Sequence, residues 1–380
     1  MNAELVFKSH LFKGLSPPTK TGFSLARSKV KVLFFEHLFA YSRRLFYQTK
    51  YRIKTWKGYR ILAVDGTGIR VPDTAENRQL IGVHKNQHGA IAACKILAIH
   101  DVLNRVLFHI HLHPRSMAEL VALHHNFELL PKDSITIYDR HYCDSLLLDR
   151  HLQAKKPCLI RMKTKGIKVV EQFIKSGKKD DIVEFQIGER AYYSARQKYG
   201  LNNKHPKFSK FKIRLIRVEL KNGVIEILAT NLFKSNKFTQ SDFKELYAKR
   251  WGVETAFDEI KNQLKLAVFS GYKTTYVLQD LWSVLIFYNI RAMFLHAAQS
   301  DLDREKHNCQ INRNIAISIL QKDWFELLLS KQQNKYIKQA IQLIKRYYEK
   351  YRSRPPTKRE RKHMRANERY MTEKNYKPAF

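Results

Sequence analysis

Residues 134–162 constrain the fold of this chain more than any other stretch. Ser134-Ile135-Thr136-Ile137-Tyr138 is an apolar, β-branched run, residues 144–153 carry helical spacing, and Lys156-Pro157-Cys158-Leu159-Ile160-Arg161-Met162 is a second apolar run. Strand, helix and strand in succession imply parallel pairing, since a parallel return needs a crossover. The expectation is an α/β fold. The first strand runs into Asp139, and α/β sheets place ligands at the carboxyl ends of such strands.

A second aspartate has a similar setting. Arg60-Ile61-Leu62-Ala63-Val64 reads as a buried strand ending in Asp65, followed by a turn flanked by Gly66 and Gly68 and a further strand stopped by Pro72. An ordinary Asp-Gly hairpin turn is the other reading of these residues. Residues 90–101 and 104–113 read as a strand pair of the same sheet. His109, His111 and His113 alternate on one strand face without a carboxylate in sequence reach, which suits a surface face better than a metal site. Ser116 is expected to cap a helix through Leu130, with Glu119 completing a capping box.

From residue 163 to about 233, short alternating runs separated by turn clusters read as an antiparallel β segment. Helices are expected from Thr239 or Ser241 to about residue 266, then over residues 274–298, 312–329 and 333–351. A basic helical segment covers residues 30–46, with Arg43, Arg44, Lys50 and Arg52 interleaved or following. From Arg352 the tail holds basic residues in excess and is expected to order only on phosphate.

The helix over residues 246–261 concentrates chemistry. At about 100° per residue it places Tyr247, Arg250, Glu254 and Lys261 within roughly 60° of arc, with Trp251 at the border. A carboxylate for a divalent metal, cations for phosphate oxygens and an aromatic for a sugar or base form a phosphate-handling set. An exposed amphipathic helix with an ordinary Arg250–Glu254 pair is the plainer reading.

Lys plus Arg number 70 against 34 Asp plus Glu, a formal charge of +36, so a polyanionic partner is expected and DNA is the best match. No uninterrupted apolar run of about 18 residues and no cleavable leader is apparent, so no membrane is expected. Residues 277–298, the most apolar stretch, read as a core helix. Cys94, Cys143, Cys158 and Cys309 are far apart with no CxxC, which suggests a reduced, cytoplasmic setting, and with DNA as partner the protein is expected to be nucleoid-associated.

Two-metal phosphodiester chemistry requires carboxylates from separate elements converging about 4 Å apart. Asp65, Asp139 and Glu254 can converge if the β segment is an insertion outside the core sheet. The spacing of Tyr247, Arg250, Glu254 and Lys261 resembles the Tyr-Arg-Glu-Lys signature of one branch of bacterial insertion-sequence DDE transposases. Asp65-Gly66-Thr67 and Asp139-Arg140-His141-Tyr142 resemble the first and second aspartate motifs of that family, and the resemblance runs from about residue 58 to about 300.

The resemblance implies a ribonuclease-H-like core with an antiparallel β insertion between the second Asp and the catalytic Glu. The expected segments are a basic helical 1–55, core 56–162, insertion 163–235, core 236–300, helices 301–351 and a basic tail 352–380. It further implies that Asp65, Asp139 and Glu254 bind two Mg²⁺ ions, with Mn²⁺ as substitute. Tyr247, Arg250 and Lys261 would hold terminal phosphates, with Trp251, Arg140 and Tyr142 also on the DNA-binding side. The implied reaction is cleavage at transposon ends and strand transfer of the 3′-hydroxyl, by a homodimer in the synaptic complex and without a small-molecule cofactor. His141 departs from the small residue common at its position. The 55 residues ahead of the core are short for an independent end-recognition domain. A catalytically inactive DNA-binding remnant, or a metal-dependent nuclease on the same fold, are the other readings.

Overall fold

The computed structural model describes residues 19–48, 53–87, 89–200, 209–220 and 223–351. Lys50, Arg52 and the basic tail lie outside the described residues. The chain divides into two compact units, one built from Ile53–Arg70 and Ile81–Glu259, the other from Met1–Arg52, Val71–Leu80 and Ile260–Phe380.

Among the described residues the first unit holds nine strands: β1 (Arg60–Arg70), β2 (Val83–Asn86), β3 (Gly89–Asp101), β4 (Val106–Pro114), β5 (Ser134–Tyr138), β6 (Cys158–Arg161), β7 (Asp180–Ile187), β8 (Ser209–Glu219) and β9 (Ile225–Thr230). They form one mixed sheet in the order β2-β3-β1-β5-β6-β9-β8-β7, with β4 also on β3. β1, β5 and β6 are mutually parallel, as the strand–helix–strand pattern requires, and β3 runs antiparallel to β1.

β1 continues through Asp65-Gly66-Thr67-Gly68 without a turn, because β3 pairs with it from Leu62 to Arg70 and holds both glycines extended. The expected Asp-Gly turn is therefore absent, and Asp65 lies within a strand. The segment after β6 is not separate from the core sheet: β9 pairs antiparallel with β6, so β7, β8 and β9 prolong the sheet. The same segment carries two helices, Lys168–Lys175 and Glu189–Tyr199, which the strand reading did not anticipate.

Each face of the sheet has its own core. On one, Leu62, Val64 and Tyr138 pack with Leu123 of the helix Glu119–Asn126 and Leu147 of the helix Ser145–Gln153. On the other, Ile61, Ile135, Ile137 and Leu159 pack with Phe243, Leu246 and Tyr247 of the helix Gln240–Ala248. That helix opens with a capping box between Thr239 and Asp242. The expected single long helix is broken near Lys249-Arg250; a second helix runs Trp251–Asp258 and passes into a π-helical turn, Glu259–Gln263.

In the second unit, the helix Thr274–Glu305 is long and apolar enough by composition to span a membrane, yet 67% of its most apolar window is buried. The N-terminal helix Lys20–Ser28 is pinned to it by Arg27, which pairs with Asp280 at 3.2 Å and donates to Gln279 at 2.7 Å. Phe39 of the helix Val32–Tyr47 packs on Trp282, with ring centroids 5.3 Å apart. The last helix ends at Arg346 rather than near Tyr351, because Tyr348–Lys350 (β11) pairs with Cys309–Ile311 (β10).

Candidate active site

Val64 and Tyr138 are the last paired residues of the parallel strands β1 and β5, so Asp65, still within β1, and Asp139, just past the end of β5, each follow that last pair. Strand alternation puts Asp65 on the face that Ile61, Ile135 and Ile137 share, the face covered by the helix Gln240–Ala248. Beyond Tyr138 the chain leaves the sheet. Asp139 caps the 3-10 turn Arg140–Tyr142, its carboxylate accepting from the His141 backbone N–H and lying 2.8 Å from the His141 Nδ1.

Asp65 accepts from its neighbour's N–H, Gly66, at 2.9 Å. Burial pushes its carboxyl up from 3.8 to about 6, and the negative charges of Glu119 and Glu254 act in the same direction, against the Gly66 hydrogen bond and Arg250. The carboxyl thus sits in a partly desolvated pocket of excess negative charge.

Glu254 comes from the helix Trp251–Asp258. Gly252 lets this helix approach closely, since a Cβ there would lie 3.1 Å from Val102 beside the end of β3. Arg250 holds Glu254 at 2.8 Å and is itself only 5% exposed. Burial disfavours the Arg250 cation, but the Glu254 hydrogen bond and the negative charges of Glu254 and Asp139 favour it, and the net effect is upward. Its guanidinium lies 4.7 Å from the Trp251 ring centroid. The Tyr247 hydroxyl and the Arg250 Nε are buried without a hydrogen-bond partner. Burial pushes Tyr247 up to about 12.

The residues expected to meet DNA divide by exposure. Trp251, 59% exposed, and Arg140 stand at the surface. Tyr142, 1% exposed, and Tyr247, 6% exposed, are buried beneath it. Lys261 falls in the π-helical turn and belongs to the other unit.

The structure adds an acidic residue that motif reading missed. Glu119 is not part of a capping box: the helix starts at Glu119 itself, with Ala118 at the cap and no side-chain cap hydrogen bond. Its carboxylate instead accepts from the Tyr142 hydroxyl at 3.2 Å and pairs with Lys95 of β3 at 3.3 Å. Gly66 was the available signal, since glycine within a strand marks a close approach. Among the described residues no group of three or more His, Cys, Asp or Glu side chains stands close enough to hold a metal ion as arranged. Glu254 is engaged by Arg250, and Glu119 by Lys95 and Tyr142.

Asp65 and Asp139 follow the last paired residues of two parallel strands of a mixed sheet, and Glu254 comes from a helix near Asp65; the chain belongs to the Transposase DDE domain family, whose model matches residues 56–290. Transposase InsG for insertion sequence element IS4 of Escherichia coli (strain K12) is 26% identical over 242 residues, 62% of this chain and 52% of that protein. Putative transposase InsZ of the same strain is 25% identical over 139 residues, 36% of this chain and 46% of that protein. The chain thus spans about half the length of these curated relatives. A cryo-EM structure of a piggyBac transposase synaptic complex with hairpin DNA superposes with a TM-score of 0.44 at 12% identity, covering 93% of this chain and 73% of that one.

Proposed function

We propose that this protein is a DDE transposase with a ribonuclease-H-like core, which cuts DNA at the ends of an insertion sequence and joins the freed 3′-hydroxyl to target DNA. The observation that carries the reading is that Asp65 and Asp139 each come directly after Val64 and Tyr138, the last paired residues of the parallel strands β1 and β5, with Glu254 close enough to Asp65 to act on its charge. Hard oxygen donors around a desolvated carboxyl suit a divalent cation. Asp65, Asp139 and Glu254 would hold it, Mg²⁺ as a pair of ions being the expected species and Mn²⁺ a substitute. When bound, it neutralises charge at the scissile phosphate and lowers the cost of activating the attacking water or hydroxyl.

The chain's own residues do the rest. Arg250 places a buried positive charge beside Glu254 and Asp139, ready for a phosphate oxygen to share. Tyr142 and Tyr247 fix the floor of the site, while Trp251 and Arg140 offer an aromatic face and a cation to DNA. Lys261 is proposed as a further phosphate contact. The charge of +36 supplies affinity that does not depend on sequence. Bringing two transposon ends together implies a homodimer at work.

The test is cleavage of a labelled duplex carrying the terminal repeat of the parent element, with Mg²⁺, by wild type, Asp65→Asn, Asp139→Asn and Glu254→Gln. Nicking at the repeat boundary by wild type, lost in all three variants while DNA binding persists, supports the transposase. Binding without cleavage under both Mg²⁺ and Mn²⁺ indicates an inactive DNA-binding relative instead. Cleavage without strand transfer indicates a nuclease.

A further inference from the structure

We propose that the lysine-bearing loop over residues 163–168 is a separate contact for the DNA backbone, beside the turn that follows the second aspartate; the proposal rests on the transposase reading and adds a surface to it. The first argument is position. β5 and β6 are parallel neighbours with Tyr138 opposite Ile160, so the chain leaves both strands at the same edge of the sheet. Asp139 follows β5, and the loop follows β6. The two exits touch: Cys143, at the end of the turn Arg140–Tyr142, accepts from the Lys163 N–H at 3.5 Å and lies 3.8 Å from the Met162 sulfur.

The second argument is charge. Lys163, Lys165 and Lys168 are all exposed, and among the described residues none of them has a carboxylate partner. Other exposed lysines of the same unit do have one: Lys178 pairs with Asp181 at 2.7 Å and Lys210 with Glu184 at 3.9 Å. The acid nearest the loop in sequence, Glu171, accepts instead from the Gly166 N–H at 2.7 Å. That bond closes the loop at Gly166, whose φ of 84° suits glycine alone, while Ile167 packs against the core. The loop is thus anchored at its centre and leaves its three cations at the surface.

The third argument is that the arrangement works against the free protein. Lys168 is the first residue of the helix Lys168–Lys175, the end at which the helix dipole disfavours a cation. Like charges gathered in a chain of +36 repel one another, and a polyanion turns that repulsion into affinity. A row of phosphates fits the three ammonium groups, and Arg140 stands exposed on the adjoining turn. The chain past the end of β6 reaches at most about 25 Å over these seven residues. At 3.4 Å per nucleotide step, the contacts fall within about seven nucleotides of a scissile phosphate held at Asp139. Lys132 and Lys155 are equally exposed but precede β5 and β6, at the opposite edge of the sheet, and serve as the comparison.

The test measures binding of the full chain to the terminal-repeat duplex in EDTA over a series of KCl concentrations. It compares wild type, the triple variant Lys163→Gln/Lys165→Gln/Lys168→Gln and the variant Lys132→Gln/Lys155→Gln. The slope of log affinity against log salt should fall by about 2–3 in the triple variant, at about 0.9 per phosphate contact, and stay at the wild-type value in the other. The melting temperature of the triple variant should be no lower than that of wild type. Should the triple variant fail to fold, each single substitution should lower the slope by about 0.9. Single phosphates replaced by uncharged methylphosphonates should weaken wild-type binding within about seven nucleotides of the cut, and those positions should have no effect in the triple variant. An unchanged slope in the triple variant, or an equal fall in the Lys132 and Lys155 variant, overturns the role of the loop. The transposase reading then still stands on cleavage by wild type that Asp65→Asn lacks. If wild type neither binds nor cleaves the duplex, that reading fails and the loop falls with it.

Discussion

Replacing Asp65 by Asn should make the metal-free protein more stable, and the structure gives the size of the effect. The carboxyl stands at about 6 in the folded chain against an ordinary 3.8, with burial as the main cause. A raised carboxyl favours the protonated form, so folding carries no penalty below pH 3.8, a growing one between there and about 6, and a constant one above. At 1.36 kcal/mol per pH unit, the full penalty is about 3 kcal/mol. Asn keeps the size of the side chain and an oxygen for the Gly66 N–H, but carries no charge to desolvate. For a unit of about 200 residues, such a gain raises the melting temperature by about 6–12 °C. The assay is thermal and urea unfolding of wild type and Asp65→Asn in EDTA from pH 4 to pH 8. The gap should open between pH 4 and pH 6 and then hold. A gap of equal size at pH 4 and pH 8, or none at pH 8, would refute the account of Asp65 as a desolvated, uncompensated carboxylate. Added Mn²⁺ should narrow the gap by stabilising wild type alone.

Gly252→Leu should push the Glu254 helix off Val102, destabilising the unit by about 1–3 kcal/mol in urea unfolding and lowering cleavage more than DNA binding. His151 is held between the Tyr138 hydroxyl and the Lys156 carbonyl, each at 2.9 Å, and burial pushes its pKa from 6.5 down to about 3. Its contribution to stability is full above pH 6.5 and is lost as pH falls toward 3, because the unfolded chain takes up the proton first. In a ¹⁵N-histidine NMR titration its ring should show no protonation between pH 7.5 and pH 5; a midpoint near 6.5 would mean the imidazole is not sealed in.

What could be read in advance depended on how local each signal was. The parallel pair β5 and β6 was legible because helix and strand periodicities alternate within one short stretch. Asp139 was legible for the same reason, standing where an apolar run gives out. Asp65-Gly66 was misread in its local form: the doublet is a turn signal, but nine residues of β3, Ala93–Asp101, pair along β1 and hold it straight. The spacing of Ser116 and Glu119 imitated a capping box, while the actual partners of Glu119 lie on β3 and after β5, out of reach of any local pattern. The stripe of Tyr247, Arg250 and Glu254 gave no sign of which of its members are buried. The break at Lys249-Arg250 leaves Tyr247 and Arg250 buried with Trp251 outside, and a helical wheel cannot show a break.

The excursion between β6 and β9 leaves the sheet and comes back to the adjoining position, with Leu159 opposite Thr230 and the Met162 N–H bonded to the Ile227 carbonyl. A polypeptide whose exit and return are neighbours looks easy to trim to a loop. Its far end, however, is stitched down: Tyr199 donates to Asp144 at 2.5 Å and stacks on His124 at 4.0 Å, while Phe185, Phe211 and Leu215 pack in the same core as Leu147 and Leu123. Trimming the chain at residues 163 and 224 would therefore strip the covering from the helices behind Asp139 and yield sticky, insoluble protein. A smaller working enzyme has to be sought elsewhere in the chain.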